Sequence, residues 1–254
     1  MRRLVSDTLV VTERNLIRLP RAPELLLAFT VQPIMFVLLF RYVFGGAIRV
    51  PGGSYAEFLI PGIIVQNIAF GGFVTALGLN EDMQKGLIDR FRSLPMARAA
   101  VLAGRTTADI FTNGLSMTIL IVTGLIIGFS FQTRALHVIV GLVLALAFGY
   151  AFSWVFAYLG LLVKTPEAAN SVGFIAVFPL TFISSAFVPA QSLPTPLRQF
   201  AEVNPFTIVV NELRWLWTGQ PSPDHLWQAF AWVVFIILVF APLAVARYRR
   251  TAGS

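Results

Sequence analysis

Long apolar segments alternate with short polar ones along the whole chain. Six of the apolar segments reach the roughly 20 residues that a helix needs to cross the hydrocarbon core of a bilayer. They run over residues 25–44, 58–79, about 108–131, 138–163, 168–188 and 226–246. This pattern predicts an all-α integral membrane protein with six transmembrane helices, folded as a single domain over residues 1–254.

The composition supports insertion into a membrane. Hydrophobic residues make up 57% of the 254 residues, and the mean hydropathy is +0.77. A soluble domain can bury one or two apolar stretches of this length, but six would leave too little polar sequence to cover them. A soluble fold is therefore disfavoured.

The distribution of basic residues predicts the orientation. If the N-terminus is cytosolic, the cytosolic segments hold 14 of the 19 Lys and Arg residues, an excess that is typical of the cytosolic side. We therefore place both termini in the cytosol. Arg outnumbers Lys by 17 to 2, which favours a bacterial inner membrane. Because the basic residues are spread over several segments next to the membrane, they predict contact with lipid headgroups and not with nucleic acid.

Two cytosolic segments carry helical patterns. Residues 1–24 contain an amphipathic helix that we expect to lie in the membrane interface, although a cytosolic helix packed on a partner fits the pattern equally well. Residues 80–105 form the longest cytosolic connection, and the spacing of its apolar residues predicts a short helix along the inner surface. The predicted apolar side of the N-terminal helix consists of Val5, Leu9, Thr12, Leu16 and Leu19.

The one sizeable outer segment covers residues 189–224. Asn204 is a favourable N-cap and Pro205 suits the first helical position, so a short helix is predicted to begin there. We expect this segment to re-enter the outer leaflet. The tryptophans that suit a membrane interface are Trp215, Trp217, Trp227 and Trp232.

The chain lacks the motifs of a self-contained enzyme. It has no GxxxxGK[ST] phosphate loop, no Cys, and only two His, which are far apart in the sequence. These residues give no basis for a nucleotide-binding loop or a metal cluster. We therefore expect no catalytic residue and no metal ligand.

An ion-coupled secondary transporter is the main alternative from a different mechanistic class. Such proteins place ionisable side chains near the middle of the membrane, whereas the charges here, such as Glu57 and Asp109, are predicted towards the ends of spans. Arg105 and Asp109 lie four residues apart, so we expect a hydrated structural pair on one helix face. Energy would then be supplied by a partner outside the membrane, and the cytosolic connection is the expected place where this partner binds.

The overall pattern and one loop resemble a known family. The six spans, the N-terminal amphipathic helix, the loop EDMQKGLIDRFRSLPMAR and the NPFT motif before the last span resemble the permeases of type 2 ABC exporters. Residues 86–98, GLIDRFRSLPMAR, are similar to the corresponding loop of the daunorubicin-resistance (DrrB-like) multidrug permeases of actinobacteria. The loop is the most specific part of this resemblance.

The resemblance implies a permease subunit that exports an amphipathic or hydrophobic compound, such as a drug, an antibiotic or a lipid. It implies two separate ATPase subunits, which would bind ATP and Mg, and no cofactor in this chain. A second permease copy is expected, with a homodimer preferred and a paralogous partner left open. A polysaccharide or glycolipid exporter shares this architecture and stays as an alternative.

The resemblance also implies that the loop helix occupies a groove of the ATPase, where charged side chains set the register and apolar ones are buried anchors. The expected ATPase-coupling residues are Glu81, Asp82, Lys85, Leu87, Ile88, Asp89, Arg90, Phe91 and Arg92. For the cargo we expect an apolar path at the dimer interface. Its candidate lining residues are Gln66, Asn67, Phe70, Phe73, Asn113, Phe174, Phe178, Thr181 and Ser184.

Overall fold

A computed structural model describes residues 2–18, 23–46, 50, 54–86, 98–219 and 225–251. The described part is helical and contains no strand. Its helices are α1 (Arg2–Arg18), α2 (Pro23–Leu39), α3 (Tyr55–Gly71), α4 (Phe73–Gln84), α5 (Arg98–Ile126), α6 (Ala135–Leu162), α7 (Pro166–Phe182), α8 (Thr195–Val203), α9 (Pro205–Thr218) and α10 (Leu226–Thr251).

Four helices of the described part are long and apolar enough to cross a membrane. They are Tyr55–Gln84, in which α3 and α4 follow each other directly, Ala99–Ile126, Ala135–Leu162 and Leu226–Arg250. The chain is therefore a multi-pass membrane protein. The other two predicted spans correspond to α2, which continues in a π-helical turn over Phe40–Phe44, and to α7; each of these helices has 17 residues.

Helix α6 is the centre of the bundle. It contacts α3, α4, α5, α7, α9 and α10. Phe148 and Phe156 of α6 are fully buried in the main apolar core. Gly160 allows a close approach to α4, because a Cβ atom at this position would lie 2.7 Å from the carbonyl oxygen of Ala76. Small residues at helix contacts are typical of packing inside membranes.

The N-terminal helix α1 packs against the start of α5. Val11 and Thr12 are buried, and the Thr12 hydroxyl donates a hydrogen bond of 3.0 Å to the Gly104 carbonyl oxygen. Leu9, on the predicted apolar side, and its neighbour Val10 are 61% and 59% exposed, and the location of this side in the membrane interface stays a prediction. The side that contacts α5 is instead centred on Val11 and Thr12, because Gly104 leaves space there.

The segment between α7 and α10 that is predicted to lie outside forms a short 3-10 turn followed by α8 and α9. The predicted helix start is confirmed, since the Asn204 side chain accepts a hydrogen bond of 2.9 Å from the backbone of Phe206, and Pro205 begins α9. The interface position predicted for Trp217 is wrong. Its side chain is fully buried, and its indole Nε1 donates to the Val138 carbonyl oxygen at 3.3 Å. This tryptophan joins α9 to α6 in the core.

Candidate functional site

The first candidate site is a cavity between α2, α3, α4 and α7, which we call the aromatic cleft. Its volume is about 340 Å³, within the range of small-molecule sites. Six of its described lining residues are phenylalanines, four are amides and none is charged. The lining residues are Gln32, Pro33, Phe36, Ile63, Gln66, Asn67, Phe70, Phe73, Asn170, Phe174, Phe178 and Phe182.

Ring contacts hold the aromatic side of this cleft together. Phe174 is the central ring, with centroid distances of 5.5 Å to Phe70, 5.9 Å to Phe73 and 5.6 Å to Phe178. Phe178 and Phe182 stack at 4.2 Å. Because Phe70 and Phe73 belong to α3 and α4 while the other rings belong to α7, these contacts cross between separate helices. A planar apolar compound would find ring faces and edges on both walls.

The structure brings together six of the nine predicted pathway residues. Gln66, Asn67, Phe70, Phe73, Phe174 and Phe178 all line the aromatic cleft. Six lining residues were missed by the sequence analysis: Gln32, Pro33, Phe36, Ile63, Asn170 and Phe182. Gln32 and Asn170 had a usable signal, since each is an amide within an apolar segment, as Gln66 and Asn67 are.

The other three predicted pathway residues lie away from the aromatic cleft. Asn113 is buried on α5, where its amide lies against Gly71 and Gly149, and a side chain at either glycine would overlap it. Thr181 is buried, and its hydroxyl donates to the Phe178 carbonyl oxygen at 2.8 Å. Ser184 is also buried and donates to the Thr181 carbonyl oxygen. The two hydroxyl groups thus make internal hydrogen bonds, whereas the buried Nδ2 of Asn113 has no hydrogen-bond partner among the described residues. None of the three side chains lines the cleft.

The second candidate site is a cluster of three charged side chains beside the connection between α4 and α5, which we call the Asp82 cluster. The Asp82 carboxylate lies 2.7 Å from Arg105 Nη1 and 3.4 Å from Arg14 Nη2. Asp82 and Arg105 are buried. The cluster therefore joins α4 to α5 and to the N-terminal helix α1. A Cβ atom at Gly78 would overlap the Arg105 guanidinium, so this glycine provides the space for the pair.

This geometry corrects the expectation for Asp82, which was predicted as an ATPase-coupling side chain in a loop. Helix α4 continues to Gln84, so Asp82 lies on the span itself and is 3% exposed. Its carboxylate is directed into the chain because two arginines lie there. Glu81 and Lys85 are partly exposed and form an i,i+4 pair at 3.4 Å. The remaining predicted coupling residues, Leu87, Ile88, Asp89, Arg90, Phe91 and Arg92, lie outside the described residues.

The hydrated pair predicted between Arg105 and Asp109 is also corrected. Arg105 pairs with Asp82, and Asp109 accepts a hydrogen bond of 2.8 Å from the Thr75 hydroxyl. Asp109 is 6% exposed, because α4 and α6 pack against this side of α5. Ionisable side chains buried in membrane spans are costly and often belong to an ion or substrate path. A role of Asp109 in ion coupling therefore has to be tested.

A buried arginine that sequence reasoning did not single out connects three elements at the end of the bundle where α9 begins and α7 ends. Arg214 of α9 donates from Nε to the Phe58 carbonyl oxygen at 2.9 Å and from Nη2 to the Ser185 carbonyl oxygen at 2.7 Å. Its guanidinium carbon lies 3.4 Å from the centroid of the Phe58 ring, a cation–π contact. Arg214 thus fixes α9 to the start of α3 and to the turn after α7.

Several helices able to cross a membrane, an aromatic cleft edged by amides and a buried charged cluster between α4 and α5 are typical of the transmembrane subunit of a transporter. Comparison with known proteins gives the family. Residues 6–218 match the family described as ABC-2 type transporter. The chain belongs to this family, and it is an ABC transporter permease.

Curated relatives of the chain are permeases. It is 31% identical to "Daunorubicin resistance ABC transporter permease protein DrrB1" of Streptomyces coeruleorubidus. The 245 aligned residues cover 96% of this chain and 87% of the relative. It is 25% identical to "Probable doxorubicin resistance ABC transporter permease protein DrrC" of Mycobacterium tuberculosis, over 99% of this chain and 91% of the relative. "Putative transport permease ycf38" of Cyanophora paradoxa is 26% identical over 84% of this chain and 75% of the relative.

Proposed function

We propose that this permease exports uncharged or weakly charged amphipathic compounds, and that the aromatic cleft is the part of the pathway that contacts them. The cleft carries the proposal, because its described lining combines six phenylalanine rings with four amides and no charge. The rings supply apolar contact area, and the amides can orient a few hydrogen-bonding groups. The names of two relatives, which concern resistance to daunorubicin and doxorubicin, support a drug-like cargo.

The active assembly in this proposal contains two copies of the chain. Gln32 and Asn170 are exposed at the edge of the aromatic cleft, on α2 and α7. An amide that faces hydrocarbon has no water to bond, so leaving it there is costly. A second copy related by a two-fold axis would cover both amides and would close the open side of the cleft. Six spans per copy, with both termini in the cytosol of a bacterium, complete this arrangement.

Energy enters through two ATPase subunits that bind ATP and Mg and contact the cytosolic connection at Glu81, Lys85 and residues 87–92. The Asp82 cluster supports this part of the proposal, because it ties together the two helices that flank the connection. A displacement of the connection would therefore move α4, α5 and α1 together. We assign Asp82 and Arg105 to positioning the connection, while the charged residues Asp89, Arg90 and Arg92 contact the ATPase.

Ion coupling is the second candidate, and the buried carboxylate of Asp109 is the observation that favours it. Asp109 hydrogen-bonds to Thr75 on a neighbouring span and does not line the aromatic cleft. An ion taken up at this position would therefore have to act on the cargo from a distance. ATP as the energy source is the better supported alternative.

The proposal is tested by reconstituting the chain in vesicles with and without its ATPase. A hydrophobic dye should be transported only when both proteins and ATP are present. The homogeneous chain alone should hydrolyse no ATP, because its sequence has no phosphate loop. ATP hydrolysis by the chain alone would contradict the assignment of a pure permease. Transport of an oligosaccharide-linked lipid in place of the dye would instead support the glycolipid alternative.

A further inference from the structure

A second cavity lies at the end of the bundle opposite α9. Its volume is about 410 Å³, and we call it the basic pocket. Three basic side chains line it: Lys164 from the connection between α6 and α7, and Arg247 and Arg250 from the end of α10. None of its described lining residues is acidic. The pocket is separate from the aromatic cleft and from the Asp82 cluster.

Side-chain hydrogen bonds at the end of α6 build one wall of this pocket. Asn80 donates to the Val163 carbonyl oxygen at 2.9 Å, Gln84 donates to the Lys164 carbonyl oxygen at 3.3 Å, and Arg247 Nε donates to the Leu161 carbonyl oxygen at 3.3 Å. The last carbonyl groups of a helix need such partners. As a result, the backbone that carries Lys164 is fixed between α4 and α10, and its position relative to Arg250 is defined.

The remaining wall is apolar. Met83, Leu162 and Val163 line the same cavity as the basic side chains, and Leu162 is 41% exposed. Cations beside apolar side chains at the end of membrane helices match the boundary between lipid headgroups and acyl chains. An acidic surface of a soluble protein could pair with the basic side chains but would leave the apolar wall without an apolar contact. The combination therefore favours a lipid over the acidic surface of a protein.

We propose that the basic pocket binds the phosphate-bearing headgroup of an anionic phospholipid in the leaflet at this end of the bundle. Lys164 and Arg250 contact the phosphate, and the lipid chain passes along Leu162. The site lies between α4, which leads to the cytosolic connection, and α10. A bound lipid would therefore hold these two helices together. This inference requires only that the chain lies in a membrane, and it does not rest on the nature of the cargo.

The test is a lipid titration of the purified full-length chain, monitored by native mass spectrometry. Short-chain phosphatidylglycerol and phosphatidylcholine are the probes. Each basic residue near an anionic lipid contributes about 1 kcal/mol, which corresponds to roughly fivefold in affinity. Lys164→Gln and Arg250→Gln should each weaken the first bound phosphatidylglycerol by about this factor. Binding of phosphatidylcholine should change little.

Arg249→Gln is the matched control, because Arg249 is exposed at the end of α10 as Arg250 is, but does not line the pocket. It removes the same charge at the same end of α10 and should leave the affinity unchanged. If Arg249→Gln and Arg250→Gln weaken binding equally, or neither does, the proposed pocket is wrong.

Two further arms distinguish the possible occupants. Competition by millimolar inorganic phosphate would support a site that recognises the phosphate group itself and takes it from either source. The titration is then repeated on the complex with the ATPase. Retention of phosphatidylglycerol in the complex supports the lipid site, whereas its complete displacement by the ATPase would overturn the proposal and assign the pocket to protein docking.

Discussion

The buried carboxylate of Asp82 lies 2.7 Å from the guanidinium of Arg105, and this ion pair joins α4 to α5, the helices on both sides of the connection predicted to be cytosolic. Gly78 lies beneath the guanidinium, where even a methyl group would overlap it. The pair therefore depends on Asp82 and on the absence of a side chain at Gly78, both on α4, and on Arg105 of α5.

The first prediction concerns Gly78 and its matched control, Gly114. Gly78→Ala should displace the Arg105 guanidinium and lower both the unfolding free energy and ATP-driven dye efflux. Gly114→Ala on α5 should be harmless, because a Cβ atom there meets no neighbour within 4 Å. Detergent-induced unfolding and efflux from vesicles measure the two effects. Equal behaviour of the two variants would contradict the packing of Arg105 against Gly78.

Charge removal in the same cluster gives a second, independent measurement. Asp82→Asn leaves Arg105 buried without its carboxylate, and breaking a buried ion pair in this way costs about 3–5 kcal/mol. Exchanging the two residues, as Asp82→Arg with Arg105→Asp, should recover part of the lost efflux if the pair positions the connection. No recovery in a folded double variant would limit the pair to a role in stability.

The aromatic cleft predicts a dependence of transport on Phe174. Ring contacts contribute about 0.5–1.5 kcal/mol each, so Phe174→Ala should weaken dye binding, seen as an increase in KM, by roughly two- to tenfold. Phe235→Ala is the control, because Phe235 is exposed on α10 and does not line the cleft. If both variants transport the dye alike, the cleft is not on the pathway.

The cytosolic connection predicts a separate loss of coupling. Reversal of the charges at Asp89, Arg90 and Arg92 should weaken association with the ATPase, because charged side chains set the register of such interfaces. The variant should still insert and fold, since these residues are predicted to lie outside the bilayer. Co-purification of the ATPase and efflux are the measurements. If ATPase co-purification and efflux were both normal, these residues would have no coupling role and would serve only to solvate the connection and to fix the topology.

The six-span topology can be tested with single cysteines, because the natural chain has none. Cysteines at Gln84 and Thr251 should react with an impermeant reagent only from the cytosol, and cysteines at Gly52 and Ser222 only from outside. Reaction of Gly52 and Gln84 from the same side would contradict an odd number of crossings between them.

The positions of the helices were largely predictable from sequence, because each long apolar segment needs internal backbone hydrogen bonds in a membrane. The start of α9 was predictable from Asn204 and Pro205, which act through local geometry. The buried position of Trp217 was not, because an apolar side chain is equally suited to lipid and to a protein core. The contacts of its indole with Val138, Phe129 and Phe131 distinguish these two environments.

Sequence alone does not show which helices pack together, and for this reason only some of the residues at the candidate sites could be predicted. Gln66 and Asn67 could be found because amides are rare in apolar segments, but the choice among 23 phenylalanines depends on which helices pack together. Asp82 and Arg105 lie 23 residues apart in the sequence, so their pairing depends on the antiparallel contact of α4 and α5. The role of Arg214 likewise arises from carbonyl groups that α3 and the turn after α7 bring to it.

The energy source is the most direct test of an ATP-driven permease against ion coupling. In vesicles that contain the permease and its ATPase, the proton and sodium gradients are collapsed at constant ATP while efflux of a hydrophobic dye is followed. Efflux should continue nearly unchanged, should stop when the ATPase is inactivated, and should fall less than about tenfold in Asp109→Asn, equivalent to roughly 1.4 kcal/mol. Efflux that follows the ion gradient, or that is lost in a folded Asp109→Asn variant, would contradict an ATP-driven mechanism.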